Sequence, residues 1–213
     1  MKISSLVFIK LLICSCLSGC ISSAENKSIS PNNVSHNSSN LSVSRKISEK
    51  DKNKWTSLSP SKFDNLPKEI IQHLQSLDCA IPQAFYPEKP HNVIEGEFFK
   101  KGQKDWAVLC FRNNNPDNSV LFAYPNGSIK NVVKVTEGSD ENYFQDIDGK
   151  GTVGFSRAIS PVDKKYIADH FREYGGTKPP PIDHDGINDA FVEKASTVLY
   201  FYRGRWLELQ GAD

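Results

Sequence analysis

The pattern of hydrophobic and polar positions changes at Trp55. In residues 21–54 Ser, Asn and Lys dominate, apolar residues occur singly, and there is no aromatic side chain. Beyond this point the apolar residues recur at the spacings of helices and strands. A segment as polar as 21–54 buries too little apolar surface to offset the entropy lost on ordering. The pattern therefore predicts a flexible tether followed by one globular domain, residues 55–213.

Two segments of the domain have the apolar spacing of helices. The first begins after Asp64-Asn65-Leu66-Pro67. The second is predicted to begin with Ser160 as its cap and Pro161 in its first position, and to end at Gly175. The apolar positions are Ile70, Ile71, Leu74 and Leu77 in the first helix, and Ile167, Phe171 and Tyr174 in the second.

Short runs of β-branched and aromatic residues, separated by turn residues, predict about seven or eight strands. The predicted strands are residues 93–100, 106–112, 120–124, 129–135, 143–147, 153–159, 197–202 and 206–209. With two helices, this content indicates an α+β fold with a mainly antiparallel sheet.

Charge is distributed unevenly along the 213 residues. Residues 1–54 hold 8 Lys/Arg and 3 Asp/Glu, a net of +5, whereas residues 55–213 hold 18 and 22, a net of −4. The sum of +1 lacks the cationic excess of a nucleic-acid-binding domain. We therefore expect no nucleic-acid partner.

The N-terminus has the plan of a secretory signal. Lys2 and Lys10 supply positive charge, residues 11–17 form a short apolar run, and small residues precede Cys20. The sequence Leu17-Ser18-Gly19-Cys20 resembles the lipobox of bacterial lipoproteins. This resemblance implies a signal peptide of residues 1–19, lipid attached to Cys20, and a tether of residues 20–54. Several acyl chains would hold the protein stably on a membrane. Ile21, in place of the Asp that retains such proteins in the inner membrane, implies the periplasmic face of the outer membrane.

Two cysteines remain in the domain, Cys79 and Cys110. An exported protein meets an oxidising environment, which favours a disulfide between them. The alternatives are two buried free thiols or a single catalytic cysteine. A bridge closing about 30 residues would contribute roughly 3–4 kcal/mol through loop entropy.

The segment Pro181-Ile182-Asp183-His184-Asp185-Gly186-Ile187-Asn188-Asp189 is the most promising for chemistry. Asp183, Asp185 and Asp189 have part of the spacing of a calcium loop, although no Glu closes a twelve-residue loop. The alternative is an Asp-Gly turn that caps a following helix. His184 between two acids is a candidate general base. Residues 146–151 resemble a weaker copy of this pattern. Calcium is the only cofactor that these residues suggest.

Aromatic residues are a second possible source of binding. Trp106, Tyr202 and Trp206 are candidate contacts for a glycan or a peptide. The alternative is that these rings fill the core, since aromatic residues dominate small β-rich cores.

From Cys79 onward the chain resembles a family of exported bacterial proteins without an assigned activity. The resembling stretches are residues 79–83, 102–110, 154–161 and 182–213. The resemblance implies one domain type and assigns no catalytic residue.

Three functions are compatible with these observations. The first is a lipid-anchored binding or inhibitor-like module that acts on a periplasmic protein or an envelope component such as a glycan. The second is a cell-wall hydrolase that uses Asp183, His184, Asp185 and Asp189. The third is an immunity protein against a toxin delivered to the periplasm. No standard catalytic motif selects an enzyme among them.

Overall fold

The computed structural model describes residues 56–85 and 89–211. Cys20, the predicted signal peptide and the predicted tether lie outside these residues, so they stay predictions. The helices are α1 (Lys68–Ser76) and α2 (Lys164–Tyr174). The strands are β1 (Ser57–Leu58), β2 (Ile81–Pro82), β3 (Val93–Gly96), β4 (Asp105–Phe111), β5 (Asn118–Tyr124), β6 (Val133–Ser139), β7 (Phe144–Asp146), β8 (Val153–Phe155), β9 (Arg157–Val162), β10 (Gly186–Phe191), β11 (Ala195–Tyr202) and β12 (Arg205–Gln210).

The strands form two four-stranded sheets and two small ribbons. The first sheet has the order β3-β4-β5-β6 and the second β12-β11-β10-β9, while β1-β2 and β7-β8 form the ribbons. Every pairing between these strands is antiparallel. The prediction of an α+β fold with mainly antiparallel sheet is therefore confirmed. The described residues form twelve strands where seven or eight were predicted, because β1 and β2 are only two residues long, β10 was not recognised, and the predicted strand 153–159 is divided between β8 and β9.

The central strand β4 shows how the layers are built. All seven of its residues are buried. Trp106, Val108 and Cys110 face the cluster that contains α1, whereas Ala107, Leu109 and Phe111 face the cluster shared with the second sheet. Successive side chains of a strand point to opposite faces, so a strand covered on both sides reads as a continuous apolar run.

The second sheet is covered in the same manner by α2. Leu199 of β11 belongs to the core between the sheets, while Val198 and Tyr200 pack in the cluster with Ile167 of α2. The layers are therefore helix, sheet, sheet and helix, with one apolar cluster at each of the three junctions.

Both helices occur near their predicted positions. Ile70 and Leu74 of α1 are fully buried, as their spacing predicts. The predicted start of α2 was wrong. Residues 160 and 161 belong to β9, and the cap is Asp163, whose side chain accepts a hydrogen bond from the Tyr166 backbone N–H (2.7 Å). Pro161 is tolerated there because β9 lies at the edge of its sheet.

Cys79 and Cys110 form a disulfide with their Cα atoms 5.5 Å apart. This confirms the predicted pairing over the alternative of free thiols. Cys79 follows α1 and Cys110 lies on the α1 face of β4, so the bond fastens the first helical layer to its sheet. Neither helix in the described part of the chain is long and apolar enough to cross a bilayer.

Candidate functional site

A groove runs between α2 and the segment that returns to β10. We call it the proline groove, because Pro179-Pro180-Pro181 forms one wall. It encloses about 550 Å³, a volume typical of ligand sites. It is lined by Lys164, Lys165, Ile167, Ala168, Phe171, Arg172, Lys178, Pro179, Pro180, Pro181 and Ile182.

The helix contributes one wall through residues spaced three and four apart. Lys164, Ala168 and Arg172 repeat at this spacing and therefore lie along one flank of α2. Ile167 is buried beneath them, and Phe171 is half-buried. The small Ala168 leaves the space that forms the groove.

The proline wall begins where α2 ends. Gly175 and Gly176 both have positive φ (77° and 95°), a conformation that glycine adopts at little cost, and they turn the chain back toward the sheet. Three consecutive prolines then hold an extended backbone without any N–H donor. Among the hydrogen bonds between described residues, none is accepted by the carbonyl oxygens of Pro179, Pro180 or Pro181.

Four cations form the rim of the groove, and no acidic residue lines it. Asp169, beside the rim, forms ion pairs with Lys165 and Arg172. Lys164 and Lys178 are exposed and have no ion-pair partner among the described residues. The groove thus combines an apolar floor with an excess of positive charge.

A second cluster of charged residues lies inside the molecule, around Arg157 of β9. Only 5% of Arg157 is exposed. Its Nε and one terminal nitrogen donate to the two carboxylate oxygens of Asp189 (2.9 and 2.6 Å). Its other contacts are Ser119 Oγ (2.6 Å), Asp140 Oδ1 (3.4 Å), Thr136 Oγ1 (3.1 Å) and the Tyr143 ring (5.2 Å). We call these six residues the Arg157 network.

The Arg157 network joins the two sheets, because β9 and β10 belong to one and β5 and β6 to the other. The carboxylates of Asp140 and Asp189 share the single guanidinium of Arg157, so this buried cluster holds two acidic groups and one cation. Burial raises the pKa of Asp140 to about 6, although the Ser119 hydrogen bond and Arg157 both act to lower it. Asp140 Oδ2 is buried without a hydrogen-bond partner. The geometry is that of a structural tie between sheets.

The three carboxylates of the predicted calcium loop have different surroundings. Asp183 is exposed, Asp185 Oδ2 accepts the Glu97 backbone N–H (3.0 Å), and Asp189 is held by Arg157. Within residues 56–85 and 89–211, no group of three or more His, Cys, Asp and Glu side chains is arranged to hold a metal ion. The calcium site stays a prediction.

The expected Asp-Gly turn does not begin a helix, because Gly186 is the first residue of β10. A Cβ at Gly186 would lie 2.8 Å from the Leu199 carbonyl oxygen, so the close strand contact requires glycine. His184 is buried, with its Nδ1 2.8 Å from the Asp185 carbonyl oxygen. Its role as a general base stays a prediction.

The weaker copy at residues 146–151 is an exposed turn. Asp148 accepts hydrogen bonds from the backbone of Lys150 (2.8 Å) and from the Thr152 hydroxyl (2.7 Å). These hydrogen bonds lower the pKa of Asp148, and the hydrogen bond from the Thr152 hydroxyl has the largest effect. The carboxylates of this turn therefore hold its own backbone.

The predicted aromatic contacts lie in separate parts of the fold. Trp106 packs in the α1 cluster, with the Lys104 ammonium 5.0 Å from its ring centre. Trp206 packs against the core between the sheets, in edge contact with Phe99 (5.5 Å). Tyr202 is half-buried, and the Arg203 guanidinium lies 5.2 Å from its ring. The structure does not bring Trp106 and Trp206 into one groove, and their role as ligand contacts stays a prediction.

Sequence reasoning missed the proline groove and the Arg157 network. The signal for the groove was the stripe of Lys164, Ala168 and Arg172 on α2 together with three prolines. The signal for the network was one arginine within an apolar strand pattern.

Comparisons of the chain with protein-family models, with characterised proteins and with solved structures found no match.

Proposed function

We propose that this chain is an outer-membrane lipoprotein anchored through Cys20, whose periplasmic domain is a binding or inhibitor-like module for a protein or an envelope component. The observation that supports the binding role is the proline groove. Its apolar floor, formed by Ile167, Phe171 and Ile182, offers surface for burial, and the cations of its rim offer orientation. This combination of mostly apolar lining with a few charged groups is typical of binding sites.

The anchor is tested by Cys20→Ser in the full-length chain, expressed with a palmitate analogue that can be labelled. We expect the variant to lose the label, because its thiol is the attachment point. Cys16→Ser is the matched control and should keep the label. Label retained on Cys20→Ser would contradict the lipid anchor.

The groove is tested with a diazirine amino acid at position 168, irradiated in intact cells, and with the same residue at position 130 as control. Ala168 lines the groove and is exposed, so the probe would face any bound partner. We expect a discrete adduct at 168 that wild-type protein co-expressed in excess prevents and a co-expressed Ala168→Trp variant, with its groove filled, does not prevent. Equal adducts at both positions, or equal competition by both proteins, would contradict groove binding.

A further inference from the structure

We propose that the occupant of the proline groove is an acidic, amphipathic peptide segment of a partner protein. This inference rests on the binding role proposed above and names the chemistry of the partner. It combines three features of the groove, namely its charge, its apolar floor and its unused backbone acceptors.

Charge at the groove is opposite to the charge of the rest of the domain. Residues 55–213 hold 18 Lys/Arg and 22 Asp/Glu. The four rim cations belong to this set, so the remainder of the domain holds 14 basic and 22 acidic residues, a net of −8. An acidic segment is therefore repelled by most of the surface and attracted at the groove, which directs it to one place.

The free cations lie on both sides of the groove. Lys164 stands on the helix and Lys178 begins the proline wall. Since Asp169 already pairs with Lys165 and Arg172, Lys164 and Lys178 are the cations of the described rim that remain for a ligand. Two acidic side chains of one segment would meet them from within the groove.

The floor of the groove requires apolar groups on the same segment. Ile182 and Phe171 are half-buried, and Ile167 lies beneath them. Large aliphatic or aromatic side chains that cover this surface stabilise a complex because they remove its apolar area from water. A purely acidic ligand would leave this apolar floor exposed to water.

The backbone of the wall favours a peptide over a lipid. The carbonyl oxygens of Pro179, Pro180 and Pro181 accept no hydrogen bond from other described residues, and prolines offer no N–H. The complementary ligand therefore donates hydrogen bonds, as the N–H groups of an extended peptide do. An anionic amphiphile such as a fatty acid matches the charge and the floor but has no donor for these carbonyls.

The inference is tested by selecting binders from a random twelve-residue peptide library displayed on phage, with the full-length Cys20→Ser chain as the target. We expect the enriched peptides to combine two or more Asp/Glu with large apolar residues. A synthetic peptide from the enriched set should bind Lys164→Glu/Lys178→Glu at least tenfold more weakly than the parent chain. Its affinity should also fall with added NaCl, because exposed charges are screened.

The matched control is Lys130→Glu/Lys150→Glu, which makes the same change of net charge at two exposed lysines outside the groove. We expect its affinity for the peptide to stay within twofold of the parent. Both double variants should show the circular dichroism spectrum and melting temperature of the parent. Enriched peptides without acidic residues, or equal binding by both double variants, would overturn the inference.

A second arm separates a peptide from a lipid. Dodecanoate is titrated into the same chain, with Ala168→Trp as the variant whose groove is filled. Saturable dodecanoate binding that Ala168→Trp abolishes, without enrichment of acidic peptides, would overturn the peptide in favour of a lipid. In that case the 168 adduct in cells would persist and the binding role would stand. Loss of the adduct as well would contradict the binding role itself.

Discussion

The Arg157 network and the rim of the proline groove use charge in opposite ways. Arg157 is 5% exposed and makes hydrogen bonds to four residues of the fold, Asp189, Ser119, Asp140 and Thr136. Lys164 and Lys178 are exposed and have no ion-pair partner among the described residues. A buried charge without a partner costs several kcal/mol, whereas an exposed charge costs little.

The comparison separates stability from function. All three guanidinium nitrogens of Arg157 donate hydrogen bonds to residues of the two sheets and their connections, so none remains for a ligand. The rim cations contribute little to folding and remain available to a partner. Substitutions at the two places should therefore differ both in the size of their effect and in the property that they change.

The largest effect on stability is expected for Arg157→Met. Methionine fills similar space, but the variant leaves Asp189 and Asp140 buried without their cation. Breaking a buried pair from one side destabilises a protein by about 3–5 kcal/mol. Urea denaturation followed by tryptophan fluorescence measures this loss.

The double variant Arg157→Met/Asp189→Asn distinguishes charge burial from lost packing. If unpaired charge causes the loss, neutralising Asp189 should recover part of the stability, and the double-mutant cycle should show coupling. Strictly additive effects would mean that packing accounts for the loss. An Arg157→Met loss below about 1 kcal/mol would contradict the structural role of the network.

The next effect is a pH dependence caused by Asp140. Burial raises the pKa of Asp140 from 3.8 to about 6. The folded state therefore keeps a proton that the unfolded state releases between about pH 4 and 6, and the contribution of Asp140 to stability falls as the pH rises through this window. At 1.36 kcal/mol per pKa unit, the ionised group costs about 3 kcal/mol at pH 7.

Asp140→Asn tests this contribution, because asparagine does not titrate. We expect the unfolding free energy of Asp140→Asn, minus that of the parent, to increase by about 2–3 kcal/mol between pH 4 and 7. The difference removes the contribution of other carboxylates. This correction matters because Asp148 and Glu137 have lowered pKa values, Asp148 through Thr152 and Glu137 through Lys134, and act in the opposite direction. A difference independent of pH would contradict the raised pKa.

Local sequence patterns predicted several elements of the fold but neither the Arg157 network nor the proline groove. Local patterns predicted α1, because Ile70 and Leu74 sit at helical spacing, and β4, because its apolar run is unbroken. The disulfide was predicted from an expected oxidising compartment and from the two cysteines of the domain, Cys79 and Cys110. The Arg157 network depends on the strand register that places Ala158 opposite Ala190, and Arg157 opposite Phe191, which no local pattern encodes.

The errors around the candidate site have the same origin. Ser160 has the chemistry of a helix cap, but pairing with Asn188 extends β9 past it, and Asp163 caps α2 instead. The acidic residues of 183–189 have the spacing of a calcium loop, but Asp189 is paired with Arg157, 32 residues away in the sequence. Long-range pairing decided both outcomes against local propensity.

A smaller effect is expected for Ser119→Ala. The Ser119 hydroxyl donates to Asp140 Oδ1 (2.8 Å) and accepts from Arg157 (2.6 Å). Removing a buried hydroxyl with charged partners costs about 1–3 kcal/mol. The loss should grow with pH, because the Ser119 hydrogen bond lowers the pKa of Asp140 and favours its charged form. Ser61→Ala, at an exposed hydroxyl that bonds to Ser59 (3.0 Å), is the control and should change stability by less than about 0.5 kcal/mol.

The smallest effect on stability is expected where the effect on binding is large. Lys164→Met/Lys178→Met removes two exposed charges that make no ion pair with described residues, so the unfolding free energy should change by less than about 0.5 kcal/mol. Affinity for an acidic peptide should nevertheless fall at least tenfold. Equal losses in stability and binding would show that these lysines support the fold, and the contrast with Arg157 would disappear. Retained affinity would leave the stability contrast intact and would contradict the assignment of Lys164 and Lys178 to the acidic peptide.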